Sequence, residues 1–477
     1  MLLSKLAEEL NAELIGEAEI KTIFNNSKKH TPSGLFVCLD GKNHKGKDYI
    51  EEAIQNGAVA VLTNEKIDTD IPQIITEDVR KSYAILSAKL FSNPEKTLKI
   101  IGVVGTNGKT STAKMIETIL QNASIKVGFI GTFGCFVGAE KLFGEMTTPD
   151  PEDLYRILAE MKTLGVTHIV MEVSAHAIAL KKVAPINFEV LIFTNCTQDH
   201  LDYFSSMQEY SAVKESIFTA DKSKYKVINV DDELGEKIAK KNLPCVITYG
   251  IDCPSDVFAT LIRINKRSTK FVINLFDELY ELKLKLLGKF NVYNSLASII
   301  CAFILKISPE VAIAALEKIE NIEGRMEKVG TYNGATIFVD YAHTPDGLEK
   351  SLLFLRKVTK NNLFVVFGCG GNRDESKRPI MGRVAGDIAD YVVVTSDNPR
   401  YEEPTEIIAQ VEQGVKDSTN NYICIKDRAT AISYAVKMLG TFDTLLIAGK
   451  GHENYQEVKG EWLEFSDRQV VKNLINV

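Results

Sequence analysis

The sequence lacks most of the features that would send it to a membrane, an oxidising compartment or a nucleic acid. No stretch reaches the ~18 uninterrupted apolar residues that a membrane helix needs. The nearest, Leu296 to Leu305, is shorter and reads as a buried helix. The opening segment, MLLSKLAEELNAELIG, has Glu8, Glu9 and Glu13 inside an amphipathic pattern, so it lacks the uncharged core of a signal peptide. Eight cysteines are scattered singly with no C-x-x-C pair, a pattern that indicates neither a disulfide framework nor a zinc knuckle. Positive charge is not in excess. Fifty-six Lys plus Arg stand against 63 Asp plus Glu, a formal net charge of −7, which argues against coating nucleic acid or an anionic membrane. Low-complexity tracts and short repeats are absent too. The expectation is a cytoplasmic protein without nucleic-acid partners or membrane insertion.

What is present is ordinary globular material, 45% hydrophobic and 25% charged. The length of 477 residues suggests about three domains. The first hundred residues hold short apolar runs such as GLFVCLDG (34–41) and AVAVLT (58–63), a small α/β unit. Composition turns polar near Asn93-Pro94-Glu95-Lys96. From residue 98 strands and helices alternate: KIIGVVG, then the helix KTSTAKMIETILQNA, then KVGFIGT, DLYRILAEMKTLG, HIVMEVS, VLIFTN and YKVINVDD. Continuous β-branched runs between helices mean strands buried on both faces, hence a mostly parallel sheet. ELKLKLLG (281–288) alternates like an antiparallel strand, and VYNSLASIICAFILKI follows as a helix. A second transition lies near Glu323-Gly324-Arg325. Beyond it ATIFVDYA, LFVVFGCGG, YVVVTSD and TLLIAGKG each read as a strand ending in a polar, ligand-facing turn. The predicted architecture is α/β with three domains, 1–97, 98–327 and 328–477. The central one has a phosphate loop and a mostly parallel sheet, and the last is Rossmann-like.

The sharpest local signal is Gly105-Thr106-Asn107-Gly108-Lys109-Thr110-Ser111, set between a strand and a helix. Phosphate needs backbone N–H groups that approach closely, hence glycines, and a helix N-terminus adds partial positive charge. Lys109 would reach the β/γ-phosphates, and the Thr110 hydroxyl would ligate Mg²⁺. The longer pattern G-x-x-x-x-G-K-[ST] would require glycine at Val103; the loop is the tighter G-x-x-G-K-T. Glu172, at the end of the strand HIVM, stands where a metal ligand would sit. His200 closes Thr194-Asn195-Cys196-Thr197-Gln198-Asp199-His200, and four of the seven histidines (His176, His200, His343, His452) fall in polar strand-end loops. Taken by residue type alone, Lys214 in MQEYSAVKESIF reads as a solvated helix lysine. Arg325, Asp340 and His343 flank the third segment and would suit a nucleotide at an interdomain cleft.

GVVGTNGKTST, MEVSAHA, TNCTQDHLDYF with YSAVK, GRME, VDYAHTPD, DNPRYEEP and GKGHENYQ occur in one order over most of the chain. Together they resemble the Mur ligases of peptidoglycan synthesis. The resemblance implies a UDP-substrate domain, a central ATPase and a C-terminal domain closing over the nucleotide. It also implies the reaction: ATP phosphorylates a D-glutamyl γ-carboxylate, and an amine attacks the acyl phosphate to give an amide, ADP and phosphate. Carried over by position, Lys109 would stabilise the transferred phosphoryl group, while Thr110, Glu172 and His200 would hold Mg²⁺. Lys214 matches a lysine that is carbamoylated in the family, and Asn294, Arg325, Asp340 and His343 would contact ATP. Ser27, Thr147, Thr148, Ser174 and Lys182 fall where UDP-MurNAc-L-Ala-D-Glu binds. Here Asn26-Ser27-Lys28 replaces the commoner Asp-Ser-Arg, and Leu180 and Lys182 stand where Gln and Arg are often found; Lys supplies charge without the bidentate fork of Arg.

The loop Asp397-Asn398-Pro399-Arg400 resembles the version associated with meso-diaminopimelate. Arg400 and Arg373 would grip its distal carboxylate, and Glu453, near Gly449, would take its distal ammonium. The expected enzyme is a monomer that adds diaminopimelate. A lysine-adding ligase, a folylpolyglutamate-synthetase-like ligase and a nucleotide-dependent switch stand as alternatives.

Overall fold

The computed structural model describes every residue except 42, 43, 145, 476 and 477. The chain builds three large sheets in sequence order, with helices against their faces. In the first, Glu13–Ile15, Gln73–Ile75, Ala58–Thr63, Gly34–Val37 and Thr22–Phe24 lie side by side, parallel except for the first pair. The amphipathic N-terminus is the helix Leu3–Leu10, which buries Leu3, Leu6 and Ala7 against this sheet's core.

The central sheet has eleven strands. Its middle is parallel, in the order Val127–Gly131, His168–Val173, Lys99–Val104, Phe188–Phe193, Ser223–Asn229, Val246–Gly250, Val257–Ile264. His168–Val173 is buried along its whole length, and its middle, Ile169-Val170-Met171, is accordingly apolar on both faces. The antiparallel expectation for the segment from residue 281 also holds: Glu278–Leu284 pairs antiparallel with Thr269–Leu275. On the opposite edge Gly134–Val137 and Glu140–Phe143 add an antiparallel ribbon that the helix–strand rhythm did not reveal. Helix Lys289–Ile304 buries Leu296, Ile299, Ile300 and Cys301 against the phosphate-loop helix Lys109–Asn122. Burial of each such aliphatic side chain contributes about 1.5–3 kcal/mol. From Lys99–Val104 the chain first builds toward one edge, then resumes on the other side at Phe188–Phe193. The carboxyl ends of these strands and of His168–Val173 therefore open a crevice where α/β sheets take ligands.

The third sheet runs Glu327–Tyr332, Ala335–Asp340, Thr444–Ala448, Leu363–Phe367, Tyr391–Val394, Tyr422–Cys424, all parallel except the first pair. Its polar linchpin is Arg428, fully buried, which donates from Nε and Nη2 to Asp467 at 2.7 and 2.8 Å and from Nη2 to Ala448 O at 2.9 Å. That pair ties the last helix, Asp467–Ile475, to the strand ends. Arg428→Leu strands the fully buried Asp467 carboxylate and should cost about 3–5 kcal/mol in urea unfolding followed by circular dichroism. The double variant Arg428→Leu/Asp467→Leu should recover only part of that loss, since Ala448 O and Asp397 still lack the guanidinium.

Candidate active site

The phosphate loop is shaped by its neighbours. Gly108 caps the helix Lys109–Asn122 at φ 85°, a left-handed conformation that glycine adopts without strain. Thr194 Oγ1 and Asn195 Nδ2 donate to Asn107 O at 2.7 and 2.9 Å, and Asn107 N donates to Asn195 Oδ1 at 2.9 Å. The next strand end thus cinches the loop. Lys109 Nζ curls back over the loop, donating to Gly105 O and Thr106 O at 2.9 and 2.8 Å, and burial pushes its pKa down. Ser111 lies buried in the first helical turn.

Glu172 is fully buried at the carboxyl end of its strand. Thr110 Oγ1 donates to its Oε2 at 2.9 Å, Thr132 N to its Oε1 at 2.8 Å, and Thr132 Oγ1 to Oε2 at 3.1 Å. Arg325 Nη2 donates in turn to Thr110 Oγ1 at 2.9 Å, its guanidinium stacked 4.3 Å above the Tyr341 ring. Asn294 accepts from Thr112 Oγ1 at 3.2 Å on the facing helix, behind the loop. Asp340 is buried, accepts from Met326 N at 2.5 Å, and burial raises its pKa.

The solvated-lysine reading of Lys214 is corrected: its side chain is fully buried. The amine donates to Thr106 Oγ1 at 2.5 Å and sits 4.0 Å over the Tyr210 ring. Desolvation brings its pKa from 10.5 to about 7. No spacing signal announced this, because the helix Met207–Ser216 is mostly polar and buries only Tyr210 and Lys214 fully.

His200, at φ 57°, sits with Nε2 3.3 Å from Asp199 Oδ2. Asp199 is also 3.5 Å from His343 Nε2 and 3.5 Å from Lys377 Nζ. Burial opposes its ionisation, but His343, Lys377 and His200 hold its carboxyl well below the usual range. Burial lowers His200 to about 3, leaving a neutral imidazole. Sequence reasoning missed Asp199 as a hub, although it adjoins His200 in the motif. It also missed Lys377, Thr132 and the contact of Asn107 Nδ2 with Asp346 Oδ2 at 2.9 Å.

A cavity of about 900 Å³ gathers residues from the central and third sheets. Thr132, Thr147, Asp199 and His200 line it from one side; His343, Arg373, Asp397, Asn398, Arg400, Gly449 and Glu453 line it from the other. Lys109, Thr110, Glu172, Lys214 and Arg325 are off the lining: Arg325, Thr110 and Glu172 connect to it through Thr132, whereas Lys109 and Lys214 both bond Thr106. Pro399 is off the lining, but its loop is the same. Arg400 Nη1 donates to Gly371 O at 2.8 Å and Nε lies 2.9 Å from Glu457 Oε2. Arg373 Nη1 is 3.8 Å from Asp202 Oδ2.

Thr148 Oγ1 donates to Ser174 Oγ at 3.3 Å, Thr147 Oγ1 is 3.3 Å from Thr132 Oγ1, and Lys182 Nζ pairs with Asp150 at 2.7 Å. Ser27 is not on this cavity: its hydroxyl donates to Glu52 Oε2 at 2.5 Å inside the first unit. Lys29 and Glu152, 3.0 Å apart, bridge that unit to the central one.

Among the described residues no group of three His, Cys, Asp or Glu side chains is arranged to hold a metal alone. The Thr110 hydroxyl and Glu172 carboxylate are nevertheless hard oxygen donors facing each other at 2.9 Å. That set fits Mg²⁺, which takes one or two protein oxygens and fills its octahedron with phosphate and water.

Three family models match the chain: "Mur ligase family, catalytic domain" over residues 19–93, "Mur ligase middle domain" over 103–302 and "Mur ligase, glutamate ligase domain" over 324–451. The chain is 41% identical to the UDP-N-acetylmuramoyl-L-alanyl-D-glutamate–2,6-diaminopimelate ligase of Syntrophomonas wolfei, covering 100% of this chain and 99% of that protein. It is 39% identical to the ligase of the same name from Caldanaerobacter subterraneus, with the same coverage. A solved structure of a ligase of that name matches with a TM-score of 0.68 at 30% identity, covering 96% of this chain and 95% of the other.

The buried Lys214 makes a pH prediction. Its folded pKa of about 7 lies below the ordinary 10.5, so between those values the unfolded chain binds more protons and this lysine's penalty is relieved as pH rises. Below about 7 the penalty is complete. In CO₂-free buffer, the stability of Lys214→Met relative to the parent should therefore fall with rising pH between about pH 7.5 and 9.5, by about 1.4 kcal/mol per unit. Urea titrations of both proteins at each pH measure it, and a flat difference would refute the buried-amine account.

Proposed function

Because this chain belongs to the Mur ligase family, we propose that it joins meso-2,6-diaminopimelate to the D-glutamyl γ-carboxylate of UDP-MurNAc-L-Ala-D-Glu, at the expense of ATP, as a cytoplasmic monomer. In this reading residues 1–97 hold the UDP end, 98–327 the ATP and 328–477 the incoming amino acid. One observation carries it above the others: His200 with Asp199 and the loop Asp397–Arg400 face each other across a single cavity of about 900 Å³. That size suits a small-molecule site in which a carboxylate, a phosphate and an amine must meet.

A carboxylate resists attack by an amine because oxide is a poor leaving group. In the first step a γ-carboxylate oxygen attacks the terminal phosphorus of ATP, the bond to ADP breaks, and an acyl phosphate forms. In the second the acceptor nitrogen attacks the acyl carbon. The tetrahedral adduct collapses with loss of phosphate and a proton, leaving the amide. The protein's work is to position three charged molecules and neutralise them. The loop amides and Lys109 meet the phosphates, while Asn294, Arg325, Asp340 and His343 meet the rest of the nucleotide. Thr110, Glu172 and His200, with a carbamate on Lys214, would hold Mg²⁺, which neutralises phosphate charge when bound. A carbamate is reasonable at Lys214 because a pKa of about 7 leaves neutral amine available to CO₂ at physiological pH; its addition releases a proton and gives an anion whose charge Mg²⁺ would offset. Ser27, Thr147, Thr148, Ser174 and Lys182 would orient the UDP-MurNAc dipeptide. Arg400 and Arg373 would face the distal carboxylate of the acceptor, and Glu453 its distal ammonium.

Phosphate release should depend on the acceptor. With ATP, Mg²⁺ and UDP-MurNAc-L-Ala-D-Glu, diaminopimelate should support turnover and give the tripeptide product by mass, whereas L-lysine should not. Turnover with lysine alone would keep the ligase and overturn the acceptor. Arg400→Lys should raise KM for diaminopimelate by about 10–100-fold, the loss of one charged hydrogen bond. The KM values for ATP and the UDP substrate should stay within about twofold; an unchanged diaminopimelate KM would remove Arg400 from acceptor recognition.

A further inference from the structure

Lys450 stands between the glycines of the turn that follows Thr444–Ala448 and is fully buried. Gly449 before it adopts φ 113° and packs so tightly on Asp397 that a Cβ would lie 2.5 Å from the carboxylate. The turn thereby drives the Lys450 side chain inward. Its ammonium donates to Asn398 Oδ1 at 2.8 Å and to Glu453 Oε2 at 2.9 Å. Two further contacts fix the same arrangement. Asn398 Oδ1 also accepts from Glu457 N at 3.0 Å, and Asn398 Nδ2 donates to Glu453 Oε2 at 2.9 Å. Glu453 Oε2 is therefore bonded twice to protein, and among the described residues no hydrogen bond reaches Oε1. Glu453 lines the cavity, so its unengaged oxygen is the one available to a ligand.

We propose that Lys450 is a positioning residue for the acceptor: it locks Asn398 and Glu453 together and turns one carboxylate oxygen of Glu453 toward the acceptor's distal ammonium. The inference rests on the reading of Glu453 given above. Lys450 itself does not touch the acceptor. It holds Glu453 in one rotamer, so that no ordering cost falls on binding. It also balances the charge of Glu453 and of Asp397, whose buried carboxyl Lys450 and Arg428 hold ionised against desolvation. Without Lys450, Glu453 would be free to swing and Asn398 free to flip its amide. Exposed lysines are replaceable, but a buried one bonded to two residues of the acceptor loop cluster is not.

The test is a double-mutant cycle on the full-length protein. Lys450→Met keeps the stem and removes the charge; Glu453→Gln removes the ammonium's partner; the double variant carries both. Each single change should raise KM for diaminopimelate by about 10–100-fold with ATP and UDP-substrate KM values within about twofold. The double variant should be no worse than Glu453→Gln alone, because Lys450 acts through Glu453. If Lys450→Met does not fold, the double variant, in which Glu453 no longer carries an uncompensated charge and Asp397 keeps Arg428, still compares with Glu453→Gln. An additive cycle, a double variant worse than Glu453→Gln by tenfold, or an equal loss for all three substrates would overturn the positioning role. The parent run alongside separates the two readings. Indifference of the parent to every acceptor overturns the acceptor site itself and Lys450 with it. A parent that uses diaminopimelate and gives an additive cycle overturns Lys450 alone.

Discussion

A carboxylate with no solvent around it organises this site. Burying an ionised Glu172 without partners would cost several kcal/mol, so each element that meets it must bring a donor. The phosphate-loop helix brings the Thr110 hydroxyl, and the turn after Val127–Gly131 brings both the amide and the hydroxyl of Thr132. Through Thr110 the same carboxylate reaches Arg325, at the junction with the third sheet. One charge thus aligns the phosphate loop, two strand ends and the entry to the next unit. The apolar core supplies most of the folding free energy, but it does not specify where a triphosphate would lie to a fraction of an ångström. A saturated ring of hydrogen bonds does.

Several contacts that join the central and third units beside the cavity are polar. Asn107 meets Asp346, Gln198 Nε2 donates to Asp374 and Ser376 at 3.2 and 3.1 Å, and Asp199 faces Lys377 and His343. Such contacts exchange for water at small net cost, about 0.5–1.5 kcal/mol each. One large apolar cluster lies within the central unit around its helices, and another joins Leu287, Ile264 and Phe290 of that unit to the face of the third sheet.

The inner parallel strands of the central and third units were legible from the sequence because strands buried on both faces read as mainly apolar runs, whereas Val246–Gly250, Val257–Ile264, Thr269–Leu275, Glu327–Tyr332 and Tyr422–Cys424 were not. Lys99–Val104, His168–Val173 and Thr444–Ala448 fall where those runs are. The edge ribbon Gly134–Phe143 was not, since half-exposed edge strands carry mixed residues and no period strong enough to see. Motif residues concentrated in short windows, such as Gly105 to Ser111 or Asp397 to Arg400, could be singled out one window at a time. Lys214 illustrates the limit. Its neighbours are polar, and by residue type it belonged to solvent; only the resemblance to a family suggested otherwise.

The sequence by itself determined the number of units, the strand–helix alternation and the chemical types at each strand end, because those depend on local apolar periodicity and on glycine placement. Tertiary structure alone decided which strand ends face one another. It buried Lys214 beneath Thr106 and lowered its pKa, made Asp199 the meeting point of two histidines and a lysine, and set Lys450 behind Asn398 and Glu453. Asn107 and Asp346, or Asp199 and Lys377, are separated by well over a hundred residues. Desolvation and hydrogen-bond geometry act through space, so no window of sequence contains them.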